Sequence, residues 1–192
     1  MSKVQRGDAI SELNLPAIDG SQFTIDQVVG KRYLLSFFRF ASCPFCNLRV
    51  HQLVTKFPDF SDQFTVVGIF DASIDELRRT AERHHSPFPI LADGENRYYQ
   101  RFGVERSWFG VLKGMVLRFP QLLYSVFVKG NVPLWIGGHM ATMPVNLLVD
   151  ERGIVQYAHY GKDEGDHLPM AAVEAFANRG EVPAVAVNLS TE

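Results

Sequence analysis

The sequence holds only two cysteines, placed together as Cys43-Pro44-Phe45-Cys46. A framework of several disulfides and a four-cysteine zinc site are both excluded. No apolar run reaches the roughly 18 residues that a membrane span needs. Even the most apolar stretch, 105–138, is interrupted by Lys113, Arg118, Pro120 and Lys129. Neither sign of charge dominates: 19 Lys+Arg stand against 21 Asp+Glu, a net charge of -2, so the overall balance does not point to nucleic acid or an acidic surface as partner. Repeats and low-complexity tracts are missing as well. The opening MSKVQRGDAISEL lacks the apolar core of a secretory signal, so a reducing, cytoplasmic setting is expected. With 46% hydrophobic content over 192 residues, one well-packed core is within reach. A single domain over 1–192 is expected, with a loose tail from about 181.

What is present centres on the two sulfurs. Tyr33-Leu34-Leu35-Ser36-Phe37-Phe38, bounded upstream by Gly30, reads as a strand buried on both faces. Pro44 suits the first turn of a helix, where its missing N–H is not needed, so Cys43 falls near the N-cap and Cys46 about one turn in. The helix continues through Leu48, Val50, Leu53, Val54 and Phe57 and is closed by Pro58. Unpaired N–H groups and the helix dipole favour a thiolate at such a position, where CxxC thiols have pKa values of roughly 3.5 to 7.5 against about 8.5 for a free thiol. Arg39 ends the strand and offers a second positive charge beside the sulfurs. One sulfur can attack and the other resolve. Three plainer readings stand beside this one. A structural disulfide here closes too short a loop to constrain the unfolded chain much. Half of a zinc site with His51 or His139 lacks further ligands at familiar spacing. Two buried, inert thiols are the third.

The rest of the chain supplies a frame. Phe64 to Phe70 reads as a second buried strand, and Asp71 or Ser73 caps a helix over Ile74 to His84. This βαβα order argues for a largely parallel sheet with chemistry at the carboxyl ends of its strands, where Cys43 lies. Upstream, Leu13 to Pro16 and Gly20 to Ile25 are extended pieces around an Asp19-Gly20 turn, followed by a helical turn to Val29. Downstream, Pro87 to Gly94 reads as an edge strand and turn, followed by a helix through Tyr98, Tyr99 and Phe102 that stops at Gly103. Residues 105–138, with Trp108, Leu112, Met115, Leu122, Phe127 and Trp135 among many apolar side chains, read as one or two helices. They pack over the core, form a dimer interface, lie as a lid over the cysteines, or attach to a membrane surface. Ala141 to Asp150 is a strand with Pro144 near its start, and Ile154 to Tyr160 is the second arm of its hairpin. A cis bond at Pro144 would leave the preceding backbone free to pair with an extended substrate. A closing helix over Leu168 to Asn178 has Asp166 as its expected cap and Gly180 as its stop.

With these pieces in order, the chain resembles the thioredoxin superfamily and, within it, the peroxiredoxin-like (AhpC/TSA, redoxin) branch. The resemblance rests on the strand running into CPFC, on FPILADGENRYYQRFGV, and on MPVNLLVDERGIVQYAHYG. It implies an α/β thioredoxin-like fold: a mixed central sheet flanked by helices, with a helical insertion before a cis-proline strand. It also implies thiol chemistry at the first βα junction, with Pro144 facing the cysteines. Two departures bear on the reaction. Against the family's PxxxTxxC signature, Arg39 occupies the proline slot and Cys43 the threonine slot, and no arginine immediately precedes Met143-Pro144; Arg39 or Arg49 would have to substitute. A thioredoxin-type reading makes a more exposed Cys43 the attacker, whereas the peroxiredoxin register assigns that role to Cys46.

The expected function is a thiol oxidoreductase that cycles Cys43 and Cys46 between dithiol and disulfide, with Arg39 and Pro144 completing the candidate site. It needs no metal and no organic cofactor. Its substrate is a hydroperoxide or a protein disulfide and its reductant a thiol partner, and a homodimer through 105–138 is possible. Two rivals come from other classes. One is a binding scaffold acting through Trp108 and Leu112; the other is a metal protein using both cysteines with His139 or His159.

Overall fold

The computed structural model describes residues 2–81, 85–128 and 138–183. The chain opens with a small antiparallel hairpin, β1 (Asn14–Pro16) and β2 (Gln22–Thr24), turned at Gly20, whose φ of 90° suits glycine. A 3₁₀ turn, Ile25–Val28, leads to β3 (Arg32–Phe37). Then come α1 (Pro44–Lys56), β4 (Phe64–Phe70), α2 (Ile74–Ala81), β5 (Ile90–Ala92) and α3 (Arg97–Arg101). The expected end of α2 at His84 lies outside the described residues. The insertion forms α4 (Trp108–Leu117), α5 (Phe119–Leu123) and a π-helical turn, Tyr124–Val128; its remainder, with Lys129 and Trp135, also lies outside them. The chain ends in β6 (Val145–Val149), β7 (Val155–Tyr160) and α6 (Met170–Arg179).

The sheet runs in the order β5-β4-β3-β6-β7. β3 and β5 flank β4 in parallel, while β6 and β7 continue antiparallel, so the sheet is mixed. Side chains alternate across β3 with period two. Leu34 and Phe38 enter a core with Val50 and Leu53 of α1, Leu77 of α2 and Phe176 of α6. Tyr33, Leu35 and Phe37 enter a second core with Tyr99, Phe102 and Leu15. Each fully buried Leu or Phe contributes about 1.5–3 kcal/mol by leaving water, which holds the central strands immobile beneath the helices. A buried polar link crosses the helix side: Asn146 donates to Ser36 Oγ at 2.7 Å and accepts from the Leu168 N–H at 2.8 Å, tying the sheet to the start of α6.

Three expectations about local structure are corrected here. The described peptide bonds are all trans, so the bond to Pro144 is not cis. The backbone before it is not free either: Met143 N–H donates to Glu105 O at 2.9 Å and Ser107 N–H to Ala141 O at 2.7 Å, so the chain's own segment 105–107 pairs with that edge. Asp166 does not cap α6, whose N-cap is Pro169. Its carboxylate is engaged by the Lys162 N–H and by His159 at 3.1 Å instead. Gly180 does stop that helix, with φ 72°.

Candidate active site

The end of β3 and the start of α1 build the site. Beyond β3 the chain continues alongside β4, with Phe38 N–H donating to Ile69 O at 2.8 Å and Asp71 N–H to Arg39 O at 3.1 Å. The Tyr99 hydroxyl donates to both Phe38 O and Ile69 O, pinning the two strand ends together below the site. Cys43 is the N-cap of α1 and Pro44 opens its first turn, as the Pro-at-N1 preference dictates. The Asn47 side chain donates to the carbonyls of Ala41 and Cys43, both at 3.0 Å, and holds the connecting loop against the helix.

Arg39 reaches both sulfurs by different atoms. Its Nη1 lies 3.6 Å from Cys43 Sγ, and its backbone N–H points at Cys46 Sγ at 3.3 Å. Its Nη2 is held by the Met140 carbonyl. Burial pushes the Cys43 thiol up, but the hydrogen bond from Cys46, the Arg39 charge and the nearby N–H groups of Cys46 and Phe45 outweigh it and hold the thiol below its ordinary value. Those two amides act by proximity, since no capping hydrogen bond to the sulfur closes at normal geometry. For Cys46, burial is reinforced by the hydrogen bond and charge of Cys43, and the thiol goes well up. The two sulfurs thus share one proton readily, with the anion on Cys43.

Both cysteines are fully buried at 0% exposure, so the sequence expectation of an exposed Cys43 is corrected. They lie in the helix-side core, against which Leu122 of the insertion also packs. Ser125 Oγ donates to Pro44 O at 2.8 Å, which seats the π-helical turn on the first turn of α1. Gly110 lies against Met143 and the Lys162 carbonyl, and Gly114 against the Glu164 carboxylate, so closely that a Cβ at either position has no room. Arg118 clamps the end of α4 to Asp163 at 2.6 Å. Arg49 does not substitute as a second cation at the sulfurs. It is buried, donates to the Leu168 carbonyl at 2.7 Å, and burial lowers it to about 10.

Sequence reasoning missed the polar wall of this region. Asp71, at the end of β4, accepts from Asn96, Thr142 and the His139 N–H and so anchors the chain as it leaves the insertion next to Met140. Glu164 is buried and burial raises its carboxyl, while burial and the Arg49 charge hold His167 well below the usual histidine range. Both ring nitrogens of His167, the Glu164 Oε2 and the Arg39 Nε have no hydrogen-bond partner among the described residues. Read as sequence, DEGDH resembles a solvated linker, and nothing local in it signals burial. His51 is exposed on α1, His139 engages Asp71 through its backbone, and His159 engages Asp166. Among the described residues no group of three His, Cys, Asp or Glu side chains is arranged to hold a metal ion.

Comparison with known proteins agrees with this geometry. The family model described as the AhpC/TSA family matches residues 6–158. Over 134 residues the chain is 25% identical to the chloroplastic peroxiredoxin Q of Populus jackii; the match covers 69% of this chain and only 60% of that relative. Among solved structures, the fold is similar to the peroxidoxin BcpB of Mycobacterium tuberculosis, with TM-score 0.62, 17% identity, and coverage of 85% of this chain and 90% of that one. It is similar also to a thiol peroxidase from Chromobacterium violaceum, with TM-score 0.63, 16% identity, and coverage of 91% and 87%. At such identities the structures speak for the fold, while the family match takes in most of the chain. The chain therefore belongs to the AhpC/TSA family.

Proposed function

We propose that the protein is a thiol peroxidase that reduces small hydroperoxides with Cys43 as the attacking thiolate and Cys46 as the resolving thiol. The observation that carries this reading is the convergence of the Arg39 guanidinium and the Cys46 thiol on Cys43 Sγ. The Cys43 thiolate attacks the outer oxygen of the peroxide. The O–O bond breaks, Cys43 becomes a sulfenic acid, and the remaining oxygen leaves and is protonated to an alcohol or water. Cys46 then attacks the Cys43 sulfur, the S–S bond forms, and water leaves. A reducing thiol partner returns the pair to the dithiol, for which a cytoplasmic setting is part of the proposal. Arg39 holds the thiolate and can stabilise the departing oxygen; Pro144 takes no part through a cis bond.

Two features favour hydroperoxides over protein disulfides. Segment 105–107 already occupies the edge where an extended protein substrate would pair. Both sulfurs are fully buried, with the insertion seated on the first turn of α1 beside them, which a small molecule passes more readily than a folded partner. The proposal is tested by adding one equivalent of hydrogen peroxide to wild type, Cys43→Ser and Cys46→Ser, with sulfenic acid trapped and mapped by mass spectrometry. Cys46→Ser is expected to accumulate the trapped acid on Cys43, and Cys43→Ser to react slowly. Fast oxidation of Cys46 in Cys43→Ser would reverse the roles, and slow reaction in both would remove the peroxidase reading.

A further inference from the structure

We infer that the outward face of the insertion docks on an anionic lipid bilayer surface. Trp108, Phe109, Leu112, Val116 and Leu117 of α4 point away from the fold, as do Phe119, Tyr124 and Phe127 beyond it. Phe109 is 78% exposed and Phe127 79%. A contiguous apolar surface of this size marks an interaction site, since water-facing helices rarely carry one. The exposure is built into the packing. Gly110 and Gly114 fit α4 against Met143, Lys162 and Glu164, and Arg118 is paired with Asp163, so the inner face of the helix is the one set against the fold.

Charge selects the occupant. Between Glu105 and Asp150 the sequence has no acidic residue, while Lys113 stands exposed on α4 itself and Arg106, exposed just before α4, also reaches Asn96 Oδ1 at 3.3 Å. Glu105, at the margin, is paired with Lys3 at 2.9 Å. The whole chain is net negative at -2, whereas the described cations of this segment have no acidic neighbour within it. A second copy docking symmetrically would set the same cation-bearing, acid-free faces against each other. An anionic bilayer meets both properties: its headgroups attract Arg106 and Lys113, and its interface takes amphipathic rings such as Trp108 and Tyr124. No helix among the described residues is long and apolar enough to cross a membrane, so the contact is with the surface. It would set the lid over the thiols against lipid, and it stands independently of the thiol chemistry.

The test is co-sedimentation of the full chain with phosphatidylcholine vesicles with and without phosphatidylglycerol. Comparison is made with a Phe109→Glu/Leu112→Glu variant, whose two sites are exposed, checked by melting temperature. The expected result is binding that requires phosphatidylglycerol, weakens with salt, and falls at least on the order of tenfold in the variant. A Cys43→Ser/Cys46→Ser chain should bind like wild type, which separates this inference from the peroxidase reading. Absence of binding by the folded wild type, or binding unchanged in the variant, would overturn it. So would a dimer in analytical ultracentrifugation that the variant dissociates while vesicles remain unbound, which would assign the face to a second copy.

Discussion

Replacing Arg39 by Gln removes the charge that stands 3.6 Å from Cys43 Sγ while keeping a side chain of similar reach. Two full charges at that distance attract by about 4 to 5 kcal/mol at an effective dielectric of about 20. Water entering around the sulfur recovers part of this, and an opposite charge so placed typically moves a pKa by roughly 1–3 units. The Cys43 thiol is held below neutral pH by this surrounding, so the substitution should carry it across neutrality and cut the thiolate fraction at pH 7 by about tenfold, within roughly 2- to 100-fold. The assay is the thiolate absorbance followed against pH, alongside stopped-flow oxidation by hydrogen peroxide. Both curves should shift to higher pH together, with the rate at high pH recovering. Arg39→Lys should restore much of the pKa. Because Arg39 also holds the Met140 carbonyl, loosening of the insertion is a competing cause of any change. It would alter access and, by lessening burial, move the thiol down rather than up. An unchanged thiol titration in Arg39→Gln would refute the electrostatic role.

Other consequences concern the cover, the core and the acid limb. Gly110→Ala sets a methyl group against the Lys162 backbone carbonyl and the Met143 sulfur; overpacking of this kind costs about 1–3 kcal/mol, so the melting temperature should fall and an added thiol reagent should reach the cysteines faster. Leu53→Ala, beneath α1, should lose about 2–5 kcal/mol in denaturant unfolding and leave the thiol titration in place. Asp166 is held at about 2, first by the hydrogen bond from His159. A lowered carboxyl contributes stability above its unfolded value of about 3.9 and loses it as pH falls toward the folded value. Because the pair is partly solvated, Asp166→Asn should cost no more than about 1 kcal/mol at pH 6, with the difference vanishing near pH 2.

The parts of the fold legible in the sequence are those set by local rules. The apolar runs of β3 and β4, Pro44 at the first turn of α1, and Gly180 at the end of α6 each announce themselves within a few residues. Arg39 was legible for the same reason, since a side chain between a buried strand and a helix N-terminus has few other places to go. What was not legible depends on contacts distant in sequence. The cysteines are buried in a core against which Leu122, far along the chain, also packs, and Asp163 and Glu164 are buried in a polar loop that Arg118 of the insertion clamps. Asp166 had the right position to cap α6, but His159 and the Lys162 N–H compete for its carboxylate and win. The Pro144 bond was open because nothing in the adjoining residues selects an isomer. The apolar content of 105–138 left burial and an outward face equally open, and the described part, 105–128, buries only a narrow stripe and leaves the broad face outward, which depends on contacts distant in sequence.

The central claim is that the folded site, and not merely the presence of thiols, makes Cys43 reactive toward peroxide. It is tested most directly by the rate of oxidation of the reduced chain by hydrogen peroxide at pH 6, folded and in urea. The folded protein should react far faster, because its Cys43, with a pKa of about 6, is about half ionised there, whereas an unfolded thiol is almost wholly protonated. Equal rates, or a slower folded chain, would contradict it.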